Sequence, residues 1–379
     1  MSRILIINHS DPFANGGGSF ASHAYCRAFS EIANGDIDIC IFAESKWNVD
    51  PVIKVSQYIK VKQRSNIRRG LSLLTGDIQR YTSFLREHLA NNKGVYNLIV
   101  LNGSFEGGAL VDMCKDYGAK VITIHHNYDP EFAYDNISIP VYREIYTHHV
   151  YKLQKKAYQK SDLNLFLTKQ DIEQCEQKFG KTSARNELLG VFDFKDLENP
   201  EFKKKLGGNI TFVITGSLCT VQGVDGLKYF FESLYKYLPQ DADLIIAGRS
   251  PKDEIVKLCS QHPRVKLIPN PENMNDVISS GDVYICPTRL GGGLKLRVLD
   301  GLRLGLPIIT HSCSARGYDA FHGSDYFRSF HDECEFAEDV NDIVSLYQNN
   351  EIDKESVYNK FIEVFSYKSG VENLRRILQ

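Results

Sequence analysis

Two periodicities alternate along this chain, and their alternation limits what it can fold into. Short runs rich in β-branched residues predict strands at 3–8, 36–43, 96–102, 119–126 and 162–168, and again at 210–216, 242–248, 264–269, 282–287 and 306–311. Between them, segments of helical period predict helices at 18–33, 77–92, 106–117, 140–160 and 169–179, and then at 223–237, 252–262, 273–280 and 294–304. Strands that alternate with helices form parallel sheets with crossover helices, so the pattern predicts an α/β protein.

A polar, lysine-rich stretch at 193–209 interrupts the alternation once. Because 379 residues are many for a single core, we expect two doubly wound, Rossmann-like domains in tandem. The predicted boundaries are 1–195 for the N-terminal domain and 205–350 for the C-terminal domain. Residues 351–379 are predicted to be a helical tail that packs back on the N-terminal domain. Ligands of such folds bind at the C-terminal ends of the strands.

Composition argues against several classes of protein. An apolar content of 42% and a charged content of 24% are typical of a soluble globular protein, and a net charge of −2 provides no field that would attract nucleic acid. The nine cysteines are scattered and never spaced as Cys-x-x-Cys, which argues against a disulfide framework or a zinc site. The N-terminus lacks the pattern of a signal peptide, and no apolar run approaches the roughly 18 residues of a membrane span. We therefore expect a cytoplasmic protein.

The glycine-rich stretch at 287–310 carries the strongest functional signal. Three consecutive glycines, 291–293, separate a predicted strand from the predicted helix 294–304, and such glycines let a ligand approach the unpaired N–H groups of a helix start. Lys295 stands in the first turn of that helix, where the helix dipole repels it by about 0.3–1 kcal/mol. A bound phosphate would reverse that balance. The alternative is a tight turn with a solvated lysine.

The same stretch, PTRLGGGLKLRVLDGLRLGLPIIT, resembles the nucleotide-sugar signature of the GT-B glycosyltransferases, in particular the retaining family that builds bacterial polysaccharides. Two more segments are similar to that family, TIHHNYDPEF at 123–132 and AYQKSDLNLFLTKQD at 157–171. The likeness spans both predicted domains in the right order. It implies two Rossmann-like domains with a cleft between them, and a metal-independent, hexosyltransferase-type enzyme that has no resident cofactor.

The resemblance also implies roles for individual residues. Lys295 and His126 would be catalytic, because Lys295 would neutralise the donor diphosphate and His126 would face the transferred sugar. Gly17 and Gly18 would line the acceptor side, and no residue is expected to bind a metal. The residues that would hold the donor are Gly216, Ser217, Arg249, Gly291, Gly292, Gly293, Leu294, Arg297 and Asp300.

The chain departs from the family pattern at three places. Gly292 stands where many retaining members have the first of two glutamates, Gln222 stands near a usual Arg and Lys pair, and Asp300 replaces a longer glutamate. Either Arg249 takes over neutralisation of the phosphates or the donor is held more weakly. Arg297 and Asp300, three residues apart, could also simply pair with each other. These departures leave retention or inversion at the sugar open.

The implied partners are a nucleotide-sugar donor, with UDP- or GDP-sugars favoured, and a glycan or lipid-linked acceptor in the synthesis of a cell-surface polysaccharide or glycoconjugate. Basic residues are concentrated at 51–76 and on the predicted helix 140–160. They form either a solvated surface or a peripheral contact with the anionic inner face of a membrane, where each basic residue contributes ~1 kcal/mol. These residues are Lys54, Lys60, Lys62, Arg64, Arg68, Arg69, Lys152, Lys155, Lys156 and Lys160.

Other interpretations are open at this point. Residues 16–21 match a nominal dinucleotide fingerprint, with Glu44 near the end of the second predicted strand, although the fingerprint begins well after the first strand has ended. The adjacent His125 and His126 point to opposite faces of a strand, which makes a shared metal ion difficult to bind. A sugar-nucleotide epimerase and a non-catalytic partner subunit that keeps the fold are the alternative functions.

Overall fold

The computed structural model describes residues 3–9, 11–14, 17–42, 50–61, 82–193, 202 and 208–379, apart from the side chains at 17 and 42. The chain divides into two compact units. Unit 1 comprises Met1–Phe194 and Tyr367–Gln379, and unit 2 comprises Lys195–Ser366. Each unit is a parallel sheet with helices packed on it, which confirms the predicted pair of Rossmann-like domains.

Unit 1 contains a seven-stranded sheet in the order β3-β2-β1-β4-β5-β6-β7, and every strand pair is parallel. Its central strands are near-continuous apolar runs, as expected for strands that helices cover on both faces. The strands are β1 Arg3–Asn8, β2 Ile37–Phe42, β3 Gln57–Val61, β4 Tyr96–Asn102, β5 Lys120–His125, β6 Leu163–Phe166 and β7 Arg185–Leu188.

The helices of unit 1 begin and end at residues that suit helix termini. The fifth starts with Pro140, whose missing N–H costs nothing at a first helical position, and the sixth is capped by Thr168, whose hydroxyl accepts from the backbone N–H of Asp171. The helices are α1 Gly17–Ile32, α2 Thr82–Asn91, α3 Ser104–Tyr117, α4 Asp129–Asn136, α5 Pro140–Lys160, α6 Lys169–Phe179 and, at the C-terminus, α13 Tyr367–Leu378.

Unit 2 contains a six-stranded parallel sheet in the order β10-β9-β8-β11-β12-β13. Its strands are β8 Thr211–Ser217, β9 Asp243–Arg249, β10 Val265–Pro269, β11 Val283–Cys286, β12 Ile308–His311 and β13 Phe327–Phe330. Its α-helices are α7 Val221–Tyr229, α8 Asp253–Ser260, α9 Met274–Ser279, α10 Leu296–Arg303, α11 Glu333–Gln348 and α12 Lys354–Phe365. The predicted helix 223–237 is thus α7 followed by a π turn, Phe230–Leu234, and a 3-10 turn, Tyr235–Tyr237.

The segment predicted as a single helical tail is divided between the two units. Helix α12 belongs to unit 2, whereas α13 belongs to unit 1. In unit 1, Gly370 of α13 lies so close to Phe192 that a Cβ at this position would come within 2.0 Å of the ring. Arg375 of α13 also forms an ion pair with Glu31 of α1, at 2.8 Å. Close packing against α1 and the 192 region therefore fixes the last helix to unit 1.

Each sheet has a point where its strand order reverses, between β1 and β4 in unit 1 and between β8 and β11 in unit 2. In open parallel sheets a ligand binds at this point, outside the carboxyl ends of the strands. The residues that follow β1, β4, β8 and β11 are therefore the ones that each unit offers to a ligand. None of the described helices has the length and apolar character needed to cross a membrane.

Candidate functional site

In unit 2 the reversal point is bridged by one arginine. Arg297 of α10 donates from Nη1 to Thr288 Oγ1, just beyond β11, at 3.1 Å. It also lies against Gly216 near the end of β8, where a Cβ would come 2.8 Å from Nη1. Glycine at 216 is therefore needed to make room for the guanidinium. The predicted donor residues at the ends of the two strands are brought together by this contact.

The turn between β11 and α10 requires glycine for two different reasons. Gly291 and Gly293 have φ angles of +82° and +71°, a region that side chains other than glycine rarely adopt. A Cβ at 291 would also come 2.2 Å from Nε2 of Gln222, which projects from α7. Gln222 thus packs against the turn, and Gly292 between the two positive-φ residues is buried.

The side chain of Lys295 folds back on this turn. Helix α10 begins at Leu296, two residues after the predicted start near Leu294, so Lys295 is the N-cap residue, with extended backbone angles, and not part of the first turn. Its ammonium donates to the carbonyl oxygens of Gly291 and Gly292 at 2.6 and 2.9 Å. Only 7% of the residue is exposed. Backbone carbonyl oxygens therefore hold the lysine charge at the positive end of the helix.

The buried ammonium lies among other cations. Burial lowers the pKa of Lys295, and the guanidinium groups of Arg297 and Arg316 lower it further by repulsion. Arg249, the last residue of β9, is exposed and pairs in register with Ser217 of β8. The carboxyl edge of the unit 2 sheet is thus electropositive around a glycine turn, which suits an anionic ligand.

Asp300 and Leu294 complete the predicted donor set. Asp300 Oδ1 accepts from Arg303 Nη2 at 2.8 Å, and Arg303 also donates to Asn275. The suggested pairing of Asp300 with Arg297 is replaced by this contact, because Arg297 turns toward Thr288. Leu294 lies outside α10 and is half-buried in the turn.

In unit 1 a chain of amides connects the ends of β1, β4 and β5. Asn8 Nδ2 donates to the carbonyl of Cys40 at 3.3 Å, and Asn102 Nδ2 donates to Asn8 Oδ1 at 2.7 Å. Asn102 Oδ1 is then the acceptor facing His126 Nε2, also at 2.7 Å. Because an amide oxygen only accepts, Nε2 carries the proton in this arrangement, and Nδ1 of a neutral ring is left as an acceptor.

The two adjacent histidines differ in environment, as their predicted placement on opposite faces requires. His125 is completely buried, stacks on Phe166 at 4.6 Å and contacts Asn164 Oδ1 at 3.1 Å. His126 is partly exposed and lines a cavity of about 400 Å³ in unit 1. Burial lowers the pKa of each to about 4, so both rings are neutral at pH 7. Their opposed orientations argue against one metal ion bound to both.

Two acidic groups at the cavity of unit 1 were not revealed by the sequence patterns: Asp129 lines the cavity, and Glu106 contacts the lining residue His9. His9, which follows β1 directly, contacts the buried carboxylate of Glu106 through Nδ1 at 2.5 Å. Asp129, at the start of α4, accepts a hydrogen bond from Ser104, and burial raises its pKa to about 6. His9 and Ser104 come just after β1 and β4, the two strands at the reversal point of unit 1. Their position in the sequence is therefore a signal from which this part of the site could have been predicted.

The two glycines predicted for the acceptor side lie in helix α1. Gly17 is its first residue, and Gly18 lines the same cavity as His126. A Cβ at Gly18 would meet nothing within 4 Å, so the fold itself does not require glycine there. Of the predicted dinucleotide fingerprint, residue 16 and Glu44 lie outside the described residues, as do Lys62, Arg64, Arg68 and Arg69.

Residues 209–346 match the family model described as glycosyl transferases group 1. Unit 2 is a group 1 glycosyl transferase domain. A Klebsiella pneumoniae protein described as an uncharacterized 44.6 kDa protein in the cps region is 23% identical over 396 residues, covering 95% of each chain.

Two solved structures extend the likeness beyond the group 1 glycosyl transferase domain. Sucrose-phosphate synthase from Thermosynechococcus elongatus matches with a TM-score of 0.75 at 13% identity, covering 100% of this chain and 98% of that one. Anabaena HepE in complex with UDP matches with a TM-score of 0.69 at 10% identity, covering 99% of each. At these identities the matches concern the fold, and they confirm that both units together form the GT-B fold.

The group 1 glycosyl transferase domain therefore contains every predicted donor residue, all of them on the carboxyl side of its sheet. Lys295 contacts the carbonyl oxygens of Gly291 and Gly292, and Arg297 contacts Thr288 and lies against Gly216. Sequence reasoning missed Thr288, which holds Arg297, and Arg316, which adds to the positive charge. Within the described ranges, no three His, Cys, Asp or Glu side chains are grouped in a way that could hold a metal ion.

Proposed function

We propose that this protein transfers a sugar, of the hexose type, from a nucleotide-diphosphate donor to an acceptor hydroxyl. The observation that carries the proposal is Lys295. Its buried ammonium is held by two glycine carbonyls at the reversal point of unit 2, with Arg297 and Arg316 as like-charged neighbours. A diphosphate placed there would supply the missing negative charge. UDP- or GDP-sugars are the proposed donors, and the UDP bound to Anabaena HepE supports the first of them.

Lys295 would act mainly on the leaving group. When the sugar departs, negative charge grows on the diphosphate, and preorganised donors stabilise that charge without having to reorganise. The ammonium of Lys295 is preorganised by its two carbonyl contacts, and the guanidinium of Arg297 by Thr288. Arg249, which is exposed at the end of β9, would add charge from another strand. With this cationic set we propose that transfer needs no divalent metal.

His126 would act as a neutral group. Since burial lowers its pKa to about 4 and Asn102 occupies Nε2, the ring can accept a hydrogen bond from a sugar hydroxyl through Nδ1. The cavity that His126 lines in unit 1 is the proposed acceptor site, with Gly17 and Gly18 of α1 beside it. Asp300, whose Oδ1 accepts from Arg303, would bind the donor ribose.

For the acceptor we propose a glycan or a lipid-linked glycan of a cell-surface polysaccharide, made on the cytoplasmic side of a membrane. The support is the Klebsiella pneumoniae relative, which is described by its cps region. A non-catalytic partner subunit is the second candidate. Two observations favour it: Gly292 is a buried glycine where many retaining members have a glutamate, and Gln222 fills the space beside Gly291.

A thermal-shift panel with UDP, GDP, ADP and their sugars tests the donor proposal. We expect a rise in melting temperature with one nucleotide family, abolished in a Lys295→Ala variant. Hydrolysis of the matching nucleotide sugar without an acceptor would distinguish an enzyme from a non-catalytic subunit, and its rate should be insensitive to EDTA. No shift with any nucleotide would contradict the donor site, and strict dependence on an added divalent ion would contradict metal independence.

A further inference from the structure

Unit 1 exposes a concentration of large apolar side chains on two consecutive helices. Of the ten large apolar residues that are exposed among the described residues, six lie between positions 132 and 145, on α4, at the N-cap of α5 and on the first half of α5. Soluble proteins rarely expose such groups contiguously unless the surface binds something. We call these six the α4–α5 surface: Phe132, Tyr134, Ile139, Val141, Tyr142 and Ile145.

The α4–α5 surface is continuous with the cavity of unit 1. Tyr142, on the surface, stacks on Tyr146 with ring centroids 5.6 Å apart, and Tyr146 stacks on Phe105 at 6.4 Å. Tyr146, Phe105 and Phe132 all line the cavity. A row of aromatic rings therefore leads from the outside of α5 to the interior of the proposed acceptor site.

Along one face of α5, apolar residues are followed by basic residues. Val141, Ile145, His148, Lys152 and Lys155 follow one another at intervals of three or four residues, so they lie on one face of the helix. The first two are 73% and 60% exposed. The helix as a whole contains five Lys or Arg residues and a single Glu, which is an excess of positive charge on an amphipathic surface.

The basic residues differ in what they contact. Lys156 and Lys160 form ion pairs with Asp112 of α3, both at 2.7 Å, so their charges are partly neutralised within unit 1. The guanidinium of Arg143 lies over the ring of Tyr134, 4.1 Å from its centroid, and its Nε is 3.7 Å from Glu144 Oε1. The lysines that face outward with the apolar residues of α5 are therefore Lys152 and Lys155.

We propose that the α4–α5 surface docks on an anionic lipid bilayer. Aliphatic side chains in the first turns of α5, tyrosines beside them and lysines about two to three turns further along follow the order of hydrocarbon, interface and head groups that a helix meets when its first turns enter a membrane. A protein partner would not require that order. The link to the acceptor rests on the proposed function: docking brings the mouth of the cavity to a lipid-linked acceptor.

Vesicle flotation of the full chain tests the proposal. Wild-type protein should float with vesicles of phosphatidylglycerol and phosphatidylethanolamine and bind phosphatidylcholine vesicles more weakly. The double variant Val141→Glu/Ile145→Glu should lower the partition coefficient by about 10-fold or more, because two exposed apolar side chains that would enter the bilayer become carboxylates beside anionic lipid. Lys152→Glu/Lys155→Glu should remove the preference for phosphatidylglycerol. The matched control is Val256→Glu/Ile362→Glu, which changes exposed apolar residues of unit 2 and should float as wild type.

Three outcomes would overturn the docking surface. These are wild-type protein that floats with neither vesicle, α4–α5 variants that float as well as wild type, and variants that change the oligomeric state by light scattering while flotation is unchanged. The milder pair Val141→Ser/Ile145→Ser should weaken flotation in the same direction, which separates docking from a loss of folding. Nucleotide thermal shifts of the same variants should equal those of wild type, so a failed docking test leaves the donor proposal intact.

Discussion

The two units place opposite kinds of chemistry at equivalent points of the same architecture. At the reversal point of unit 2, cationic side chains surround a glycine turn, and the most buried of them, Lys295, is held by backbone carbonyls. At the reversal point of unit 1, His126 is neutral and the half-buried Asp129 has a pKa of about 6. The strand order alone did not decide this difference, because both sheets have the same kind of reversal.

The comparison shows which surroundings stabilise a charged side chain when it is buried. Lys295 has partners that can solvate an ammonium, and a bound anion would add an opposite charge. In unit 1, His126 and Asp129 line a cavity together with aromatic rings such as Phe105 and Tyr146, where burial favours the uncharged form of each group. The site at the reversal point of unit 2 is therefore suited to a phosphate ligand. The cavity of unit 1 is suited to hydroxyl groups and apolar surface.

The variant with the largest expected effect on the difference between the two sites is Lys295→Ala. We expect kcat/KM to fall by about 100-fold or more, because one preorganised donor to the leaving diphosphate is lost. Steady-state kinetics with the nucleotide sugar found in the thermal-shift panel would measure it. Lys252→Ala is the matched control, since Lys252 is also an N-cap lysine, at α8, but is exposed. Near-normal turnover of the Lys295 variant would remove this residue from the mechanism.

A second test addresses the neutral state of His126. In an Asn102→Asp variant a carboxylate would face Nε2 at the position now 2.7 Å away, so the pKa of His126 should rise from about 4 toward its ordinary value of 6.5. NMR titration of the ring would show this. Turnover at pH 5.5 should fall by about 10-fold, because a ring with a pKa near 6.5 is about nine-tenths protonated at that pH and a protonated ring no longer accepts a hydrogen bond.

The matched control for this variant is Asn164→Asp. It places a carboxylate beside His125, which is completely buried and lies outside the cavity lining. The pKa of His125 should also rise from about 4, but activity per folded molecule should stay as in wild type. Equal losses of activity in both variants would show that the effect is structural and that His126 has no special role.

The smallest expected effect concerns stability. Burial raises the pKa of Asp129 from 3.8 in the unfolded chain to about 6. The folded state therefore binds the proton more tightly, so this group's contribution to stability is complete below pH 4 and is lost as the pH rises through about 6. Asp129→Asn should be more stable than wild type at pH 7 by about 1–3 kcal/mol, with the difference vanishing near pH 4.

Urea unfolding at pH 4, 6 and 7 would measure this dependence. Asp116→Asn, which changes an exposed carboxylate on α3 of the same unit, is the control and should show little difference between these pH values. If Asp129→Asn were no more stable than wild type at pH 7, the carboxyl group would be as well solvated as a surface aspartate, and the contrast between the two units would be weaker than proposed.

The fold was largely predictable, and the strands that were missed share a cause. Three strands escaped the pattern, β3, β7 and β13, and each lies at the edge of its sheet. An edge strand is only partly covered, so its sequence mixes polar and apolar residues, as QYIKV and RNEL do. The central strands are covered on both faces and read as apolar runs. Helix α4, at the start of which Asp129 lies, was also missed, because it is short and polar.

The sequence by itself determined the two parallel sheets, the buried strands that form them and the glycine turn with Lys295, because burial on both faces and positive φ angles leave direct traces in residue types. Only the tertiary structure decided that Lys295 bonds to the turn that precedes it, that His9 pairs with Glu106, and that α13 belongs to unit 1. These contacts join residues on different elements or depend on how a side chain turns, and nothing in the local pattern of a sequence records such a distance.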